Sequence, residues 1–252
     1  MLDDFTPIIH RLEGRTIRVW PIADVHIGAR ECDLGGFTSF LRRVQACEDD
    51  YLVLVGDLLN NATRSSVSDV YEEMLPPSAQ IDKAVELLSP VADRILGAVG
   101  GNHELRSKKD VDLSPLYAVM LMLGKGELYR DNLCFIRVVL GEKVSDNYTM
   151  LLVHGKSANK KRHFAYSVEG VDAIISGHTH DGIVEKPAAL VFSTRNTITV
   201  RPIVSVTATS WLDYGGYAAR ALCLAKTTSN PQCIELPWTG SNSIKGQMRV
   251  IW

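Results

Sequence analysis

Near-continuous apolar runs and amphipathic stretches alternate through the first half of the chain. TIRVWPIAD (16–24), YLVLVGD (51–57) and ILGAVGGNHE (95–104) each carry an apolar run closed by turn residues, the pattern of a strand covered on both faces. Between them, Phe37, Phe40, Leu41 and Val44 recur at helical spacing within FTSFLRRVQACE (37–48). SAQIDKAVELLSPVADR (78–94) predicts a second helix with Ser78 as its N-cap, and LSPLYAVMLML (113–123) a third with Pro115 in its first turn. The second half is strand-like: CFIRVVLG (134–141), YTMLLVHG (148–155), VDAIISGH (171–178), ALVFST (189–194), TITVRPIVSVTATS (197–210), YAARALCLAKT (217–227) and QMRVIW (247–252), with a short helix at most in 163–170. Helix-bearing units followed by a strand-rich half predict an α/β fold in which two sheets pack face to face with helices outside. No fixed-period repeat, low-complexity tract or linker divides the chain, so residues 1–252 are expected to form one domain. The segment 181–252 is expected to continue the second sheet. Within it, TSWLDYGGY (209–217) gathers Trp211, Tyr214 and Tyr217 around a Gly-Gly, suiting a packed corner of the core, an overhang of a site or a subunit contact.

The residues that close the apolar runs share a chemistry. They are Asp24-Val25-His26, Asp57, Asn102-His103-Glu104, His154 and His178-Thr179-His180. In open α/β sheets the C-terminal strand edge is where sites are built. One such residue is an ordinary turn; five runs ending alike imply convergence. The donors are carboxylate, imidazole and one amide, without thiolate, which suits Mn²⁺, Fe or Zn²⁺ in an open catalytic site. There are more donors than one ion accepts, and two ions roughly 3.5–4 Å apart need a bridging group, for which Asp57 is the candidate. On an extended segment, His178 and His180 would point to one side about 6.5–7 Å apart, so each could serve one ion.

Composition narrows the class. The 252 residues are 46% hydrophobic and 22% charged with a net charge of −2, so only local basic clusters could recruit a polyanion. The longest apolar run, around Leu116–Leu123, is far short of the roughly 20 residues a membrane span needs, and the acidic N-terminus lacks a signal-peptide pattern. Five cysteines (32, 47, 134, 223 and 233) without a CxxC fit a reduced, cytoplasmic chain with no membrane partner, and a Cys223–Cys233 bridge is disfavoured. Cys32 is expected to be inert and His10 to lie at the surface. RSKK (106–109) follows GNHE, and KSANKKRH (156–163) follows HG. Arg106, Lys160, Lys161 and Arg162 are therefore candidates to hold a substrate polyanion, with His163 in a loop near the site; the bland alternative is solvated loop charge. Asn60 and Asn61 either form an Asx turn or hydrogen-bond a ligand-bearing group.

The ordered motifs DVH, GDLLN, GNHE, HG and GHTH, spanning residues 24–180, resemble the calcineurin-like metallophosphoesterases. The resemblance implies a four-layered αββα sandwich of two mixed β-sheets flanked by helices. It implies one metal on Asp24, His26, Asp57 and His180 and another on Asp57, Asn102, His154 and His178. Mn²⁺ leads the candidates for these two divalent ions, ahead of Fe, Zn²⁺ or Ni²⁺. His103 would be the non-ligand histidine assisting at the phosphate, and Glu104, where many members have Asp, would support it by hydrogen bonds. The implied reaction is hydrolysis by a metal-bridging hydroxide in line with the leaving oxygen, with no serine or cysteine nucleophile. The basic clusters favour a phosphodiester substrate, nucleic acid or nucleotide, over a phosphomonoester. A non-catalytic scaffold of the same fold is the remaining class, and the complete donor set argues against it.

Overall fold

The computed structural model describes residues 4–64, 66, 70–142, 144–157, 164, 167–192, 196–220, 231–241 and 246–251. In chain order these form β1 (Ile8–Leu12), β2 (Thr16–Ile22), α1 (Leu34–Gln45), β3 (Asp50–Leu54), α2 (Pro77–Leu88), β4 (Ile95–Val99), α3 (Glu104–Val111), α4 (Pro115–Met122), β5 (Tyr129–Arg130), β6 (Cys134–Leu140), β7 (Asp146–Val153), β8 (Ala173–Ser176), β9 (Val184–Glu185), β10 (Ala188–Phe192), β11 (Ile198–Pro202), β12 (Val204–Thr207), α5 (Gly216–Arg220), β13 (Cys233–Pro237) and β14 (Arg249–Ile251). One mixed sheet has the order β14-β13-β2-β3-β4-β5, the other β1-β6-β7-β8-β12-β9, and β10 and β11 form a separate hairpin. In the first, β2 to β5 are parallel, β13 is added antiparallel beside β2, and β14 pairs antiparallel with β13 at the edge. In the second, β7, β8 and β12 run parallel at the centre.

The unbroken apolar runs follow from burial of both strand faces. Along β7, Met150 and Leu152 enter the main core, while Leu151 and Val153 enter a second cluster on the far side; Ile175 and Ile174 of β8 divide in the same way. The main core joins Val19, Leu52 and Ala98 of one sheet to Ile136, Met150 and Val206 of the other, and takes in Phe37, Leu41 and Val44 of α1 and Leu116 and Val119 of α4. The architecture is thus α/β, two mixed sheets flanked by helices. No described helix is long and apolar enough to cross a membrane.

Several elements differ from expectation. Ser78 is not a cap: Pro76 takes the extended conformation forced by the following proline, and Pro77 opens α2. Pro90 lacks an N–H, so α2 stops at Leu88 and continues as a 3₁₀ turn over Ser89–Arg94. RSKK lies on α3 rather than in a loop; the buried residues of that helix are Glu104 and Ser107, so hydrophobic periodicity carried no signal. TITVRPIVSVTATS divides into β11 and β12, which belong to different sheets. The start of YAARALCLAKT is helical in α5, and 221–227 lie outside the described residues. The tail does not simply continue the second sheet: β9 and β12 do, but β13 and β14 extend the first, where Ile234 and Leu236 are buried beside β2. Nor is His10 a surface residue: it is half-buried on β1, with Nε2 2.7 Å from the Leu96 carbonyl. Cys32, Cys47, Cys134 and Cys233 are free thiols; Cys223 and residues 163, 165 and 166 lie outside the described residues.

Candidate metal centre

Five loops leaving the C-terminal ends of β2, β3, β4, β7 and β8 carry the motif residues, and backbone hydrogen bonds tie these loops together. The Asp24 N–H donates to Gly56 O at 3.1 Å and the His26 N–H to Asp57 O at 3.0 Å. The His103 N–H donates to Asp57 Oδ1 and the His178 N–H to Asp24 Oδ2, each at 2.8 Å. Asp24, His26, Asp57, His178 and His180 all adopt left-handed backbone, with φ of 52°, 53°, 51°, 74° and 56°. For non-glycine residues this costs on the order of 1–2 kcal/mol each, and such strain collects at functional sites. It also replaces the extended-segment picture of His178 and His180: the chain coils at both, and their rings separate to different neighbours. Glycine is needed where the loops meet. A Cβ on Gly101 would lie 2.1 Å from Asp57 Oδ1, and one on Gly56 2.7 Å from His154 Nδ1.

Glu104 holds two of these loops. Its buried carboxylate accepts the N–H of Asp57 at 3.0 Å, of Leu59 at 3.1 Å and of Gly101 at 2.9 Å. Burial and the neighbouring Asp57 charge raise its pKa to about 7. Glu104→Ala strands three buried donors and is expected to cost about 3 kcal/mol of unfolding free energy, read by urea denaturation. A loss under about 1 kcal/mol would show that the loops hold themselves.

The side chains form adjoining groups of ligand-type atoms lying within 4.8 Å of one another: Asp24, His26 and His180; His26, Asp57 and His103; and Asp57, His154 and His178. His180 Nε2 is 3.2 Å from Asp24 Oδ1, and His154 Nε2 is 3.2 Å from Asp57 Oδ2 and 3.0 Å from Asn102 Oδ1. Both ring nitrogens of His26 are buried without a hydrogen-bond partner, and buried Asp24 Oδ1 meets the His180 ring. Orphaned imidazole atoms of this kind are costly unless something binds them, and the oxygen–nitrogen set fits divalent cations. His154 Nδ1 lies 2.7 Å from Val55 O and must donate to it, which orients Nε2 toward the cluster.

Electrostatics agree with a site shaped for positive charge. Burial opposes ionisation of Asp57, yet the facing His154, His103 and His26 hold its carboxyl well below the usual range. Burial and the adjacent His103 push His26 down to about 3. Burial also opposes charge on His154, but the Asp57 carboxylate outweighs it and raises the ring to about 9.

His103 sits at the rim of the cluster. Its Nδ1 is 2.7 Å from Asn60 O and its Nε2 3.0 Å from Arg106 Nη2. A carbonyl only accepts and a guanidinium only donates, so the ring is neutral with its proton on Nδ1. Burial, the largest influence, lowers its pKa. Arg106 also donates to Asn60 O at 3.1 Å, so of the RSKK cluster it is the residue at the site; Lys108 reaches Asp131 at 2.7 Å instead. Lys160, Lys161, Arg162 and His163 lie outside the described residues. The thiol of Cys32 is pushed up to about 12 by burial.

Among the supporting residues, Asn60 and Asn61 carry a sequence signal as neighbours of Asp57, while Gln80 and Glu73 carry none. Asn61 is fastened by Gln80 Oε1 to its N–H, donates from Nδ2 to His103 O and accepts from Ser107 Oγ. Gln80 and Asn60 both donate to Glu73. The Trp211 ring packs edge-on to Phe37 at 5.1 Å, and the Trp211 backbone N–H donates to Asp24 O at 3.0 Å, so this core corner also braces the first motif loop. Tyr214 is exposed.

A model described as calcineurin-like phosphoesterase matches residues 17–182. No curated protein matches the chain. Among solved structures the chain is similar to YfcE, a phosphoesterase from E. coli, at 18% identity over 87% of this chain and 88% of that one, with a TM-score of 0.46. It is similar to Pseudomonas putida nuclease MPE at 18% identity over 92% and 85%, with a TM-score of 0.35. It is similar also to zinc-complexed Vps29 from Entamoeba histolytica at 12% identity over 93% and 97%, with a TM-score of 0.42.

Proposed function

The chain belongs to the calcineurin-like phosphoesterase family, and we propose that within it this protein hydrolyses phosphodiester bonds of nucleotides or nucleic acid with two divalent cations, Mn²⁺ first among them. The observation that carries the reading is the meeting, at the C-terminal ends of five strands, of adjoining imidazole and carboxylate groups around a buried His26 whose ring nitrogens have no hydrogen-bond partner. Asp24, His26, Asp57 and His180 would hold one cation, and Asp57, Asn102, His154 and His178 the other. When bound, such a pair neutralises phosphate oxygens and acidifies water. The remaining work falls to the chain. Glu104, Asn61 and Trp211 fix the loops, so the donors stand preorganised. His103, at the rim and against Asp57, is placed to hold or deliver a proton near the leaving oxygen. Arg106, beside His103, is suited to a phosphate oxygen, since its planar fork of donors matches that geometry. Together with the basic run that follows His154 in sequence, it favours an anionic substrate reaching beyond the reacting phosphate, hence a diester.

Hydrolysis of bis-p-nitrophenyl phosphate against p-nitrophenyl phosphate, with added Mn²⁺ and after chelation, tests this. The expected result is metal-dependent turnover with a higher kcat/KM on the diester, followed by cleavage of single- or double-stranded DNA. Faster turnover of the monoester would replace the diesterase reading with a phosphatase. No turnover of either by metal-loaded protein would leave a scaffold.

A further inference from the structure

The β10–β11 hairpin stands apart from both sheets. Its foot is fixed: the Ile203 N–H donates to Pro187 O at 2.8 Å, and Ile203 is buried in the second apolar cluster. Beyond that foot the ribbon is apolar and bare. Leu190 opposes Val200 and Phe192 opposes Ile198 across the ladder. Residues two apart share a face, so these four side chains form one continuous surface. They are 76%, 66%, 69% and 66% exposed respectively. None of them joins either core cluster. Among the described residues, neither outer edge of the hairpin pairs with another strand.

A two-stranded ribbon is marginal in water unless its apolar face is covered. This face presents on the order of 500 Å² of apolar surface, near the upper end of what a monomer exposes. Among the described residues its chemistry is uniform, with Leu190, Phe192, Ile198 and Val200 and no charged side chain on that face, and its shape is that of a ladder. Such a face complements itself. A twofold axis sets like against like and doubles the covered area to about 1,000 Å², the size at which specific interfaces begin. We propose that the hairpin is a self-association arm, in which the Leu190–Phe192–Ile198–Val200 face of one copy packs on the same face of a second copy. Pairing outer edges across the same axis would extend the ribbon to four strands and remove the open edge that otherwise invites aggregation.

Sedimentation velocity of the full chain over a micromolar concentration series tests the proposal. The wild type is expected to be a dimer. Leu190→Glu on β10 and Val200→Glu on β11 are each expected to raise its dissociation constant by about 100-fold or more, because a twofold contact feels every substitution twice. Both should keep wild-type circular dichroism, since neither residue touches the core. Hydrogen exchange of the wild type gives an answer even if a variant misfolds: protection of residues 188–192 and 198–202 should grow with protein concentration. A wild type that stays monomeric, well-folded variants that stay dimeric, protection independent of concentration, or a monomer that binds phosphatidylcholine vesicles through this face would each overturn it.

Discussion

Asp57→Asn is expected to empty both cation positions and to lower kcat by at least about three orders of magnitude, roughly 4 kcal/mol of transition-state stabilisation. Asp57 alone among the motif carboxylates reaches both halves of the cluster. Its Oδ2 lies 3.2 Å from His154 Nε2 and 3.8 Å from His103 Nε2, and it takes part in two of the three ligand groups. Its Oδ1 meanwhile receives the His103 N–H at 2.8 Å, so the carboxylate is locked in place. Asparagine keeps the size and loses the charge. One of its two orientations would also turn an amide N–H₂ against the His103 N–H. Metal content by inductively coupled plasma spectrometry, read beside turnover, checks the result. A variant that still holds two ions as tightly as the wild type would contradict a shared carboxylate.

His103→Ala is expected to reduce kcat by about 10²–10⁴-fold while both ions stay bound, the size of effect associated with a positioned proton donor or acceptor. The contact that orders this loop is the backbone N–H of His103 to Asp57, which alanine retains. The ring itself is held by Asn60 O and Arg106, not by the residues assigned to the cations. Yet His103 also lies within ligand distance of His26 and Asp57, which gives the experiment its edge. Loss of a metal ion from this variant would make His103 a ligand and leave the proton-transfer step without its residue.

The cluster of aspartates and histidines was legible in the sequence because these side chains are chemically conspicuous and end strands whose apolar runs are themselves conspicuous. Asp24, His26, Asp57, Asn102, His154, His178 and His180 could be singled out from residue type and place alone. His178 and His180 were expected on an extended segment, but both sit in left-handed backbone, a conformation paid for by loop contacts 154 residues apart in sequence, such as the His178 N–H on Asp24. Glu104 and Asn61 are expected from sequence to hydrogen-bond near the site, whereas Gln80 and the Trp211 backbone were silent; all four act through hydrogen bonds whose partners have no fixed sequence distance. The same holds for α3, whose buried side is polar, and for β13, whose partner strand lies more than 200 residues earlier.

By itself the sequence determined which strands are buried on both faces, where they end, and which donor atoms gather at those ends, because two-residue alternation and side-chain chemistry are local properties. Only the tertiary structure decided which sheet each tail strand joins, which histidines Asp57 faces, which basic residue stands at the cluster, and that one apolar hairpin face is exposed. Strand pairing and hydrogen-bond closure are contests among distant segments, and their outcome depends on which combination buries the most apolar surface while leaving the fewest polar groups unpaired.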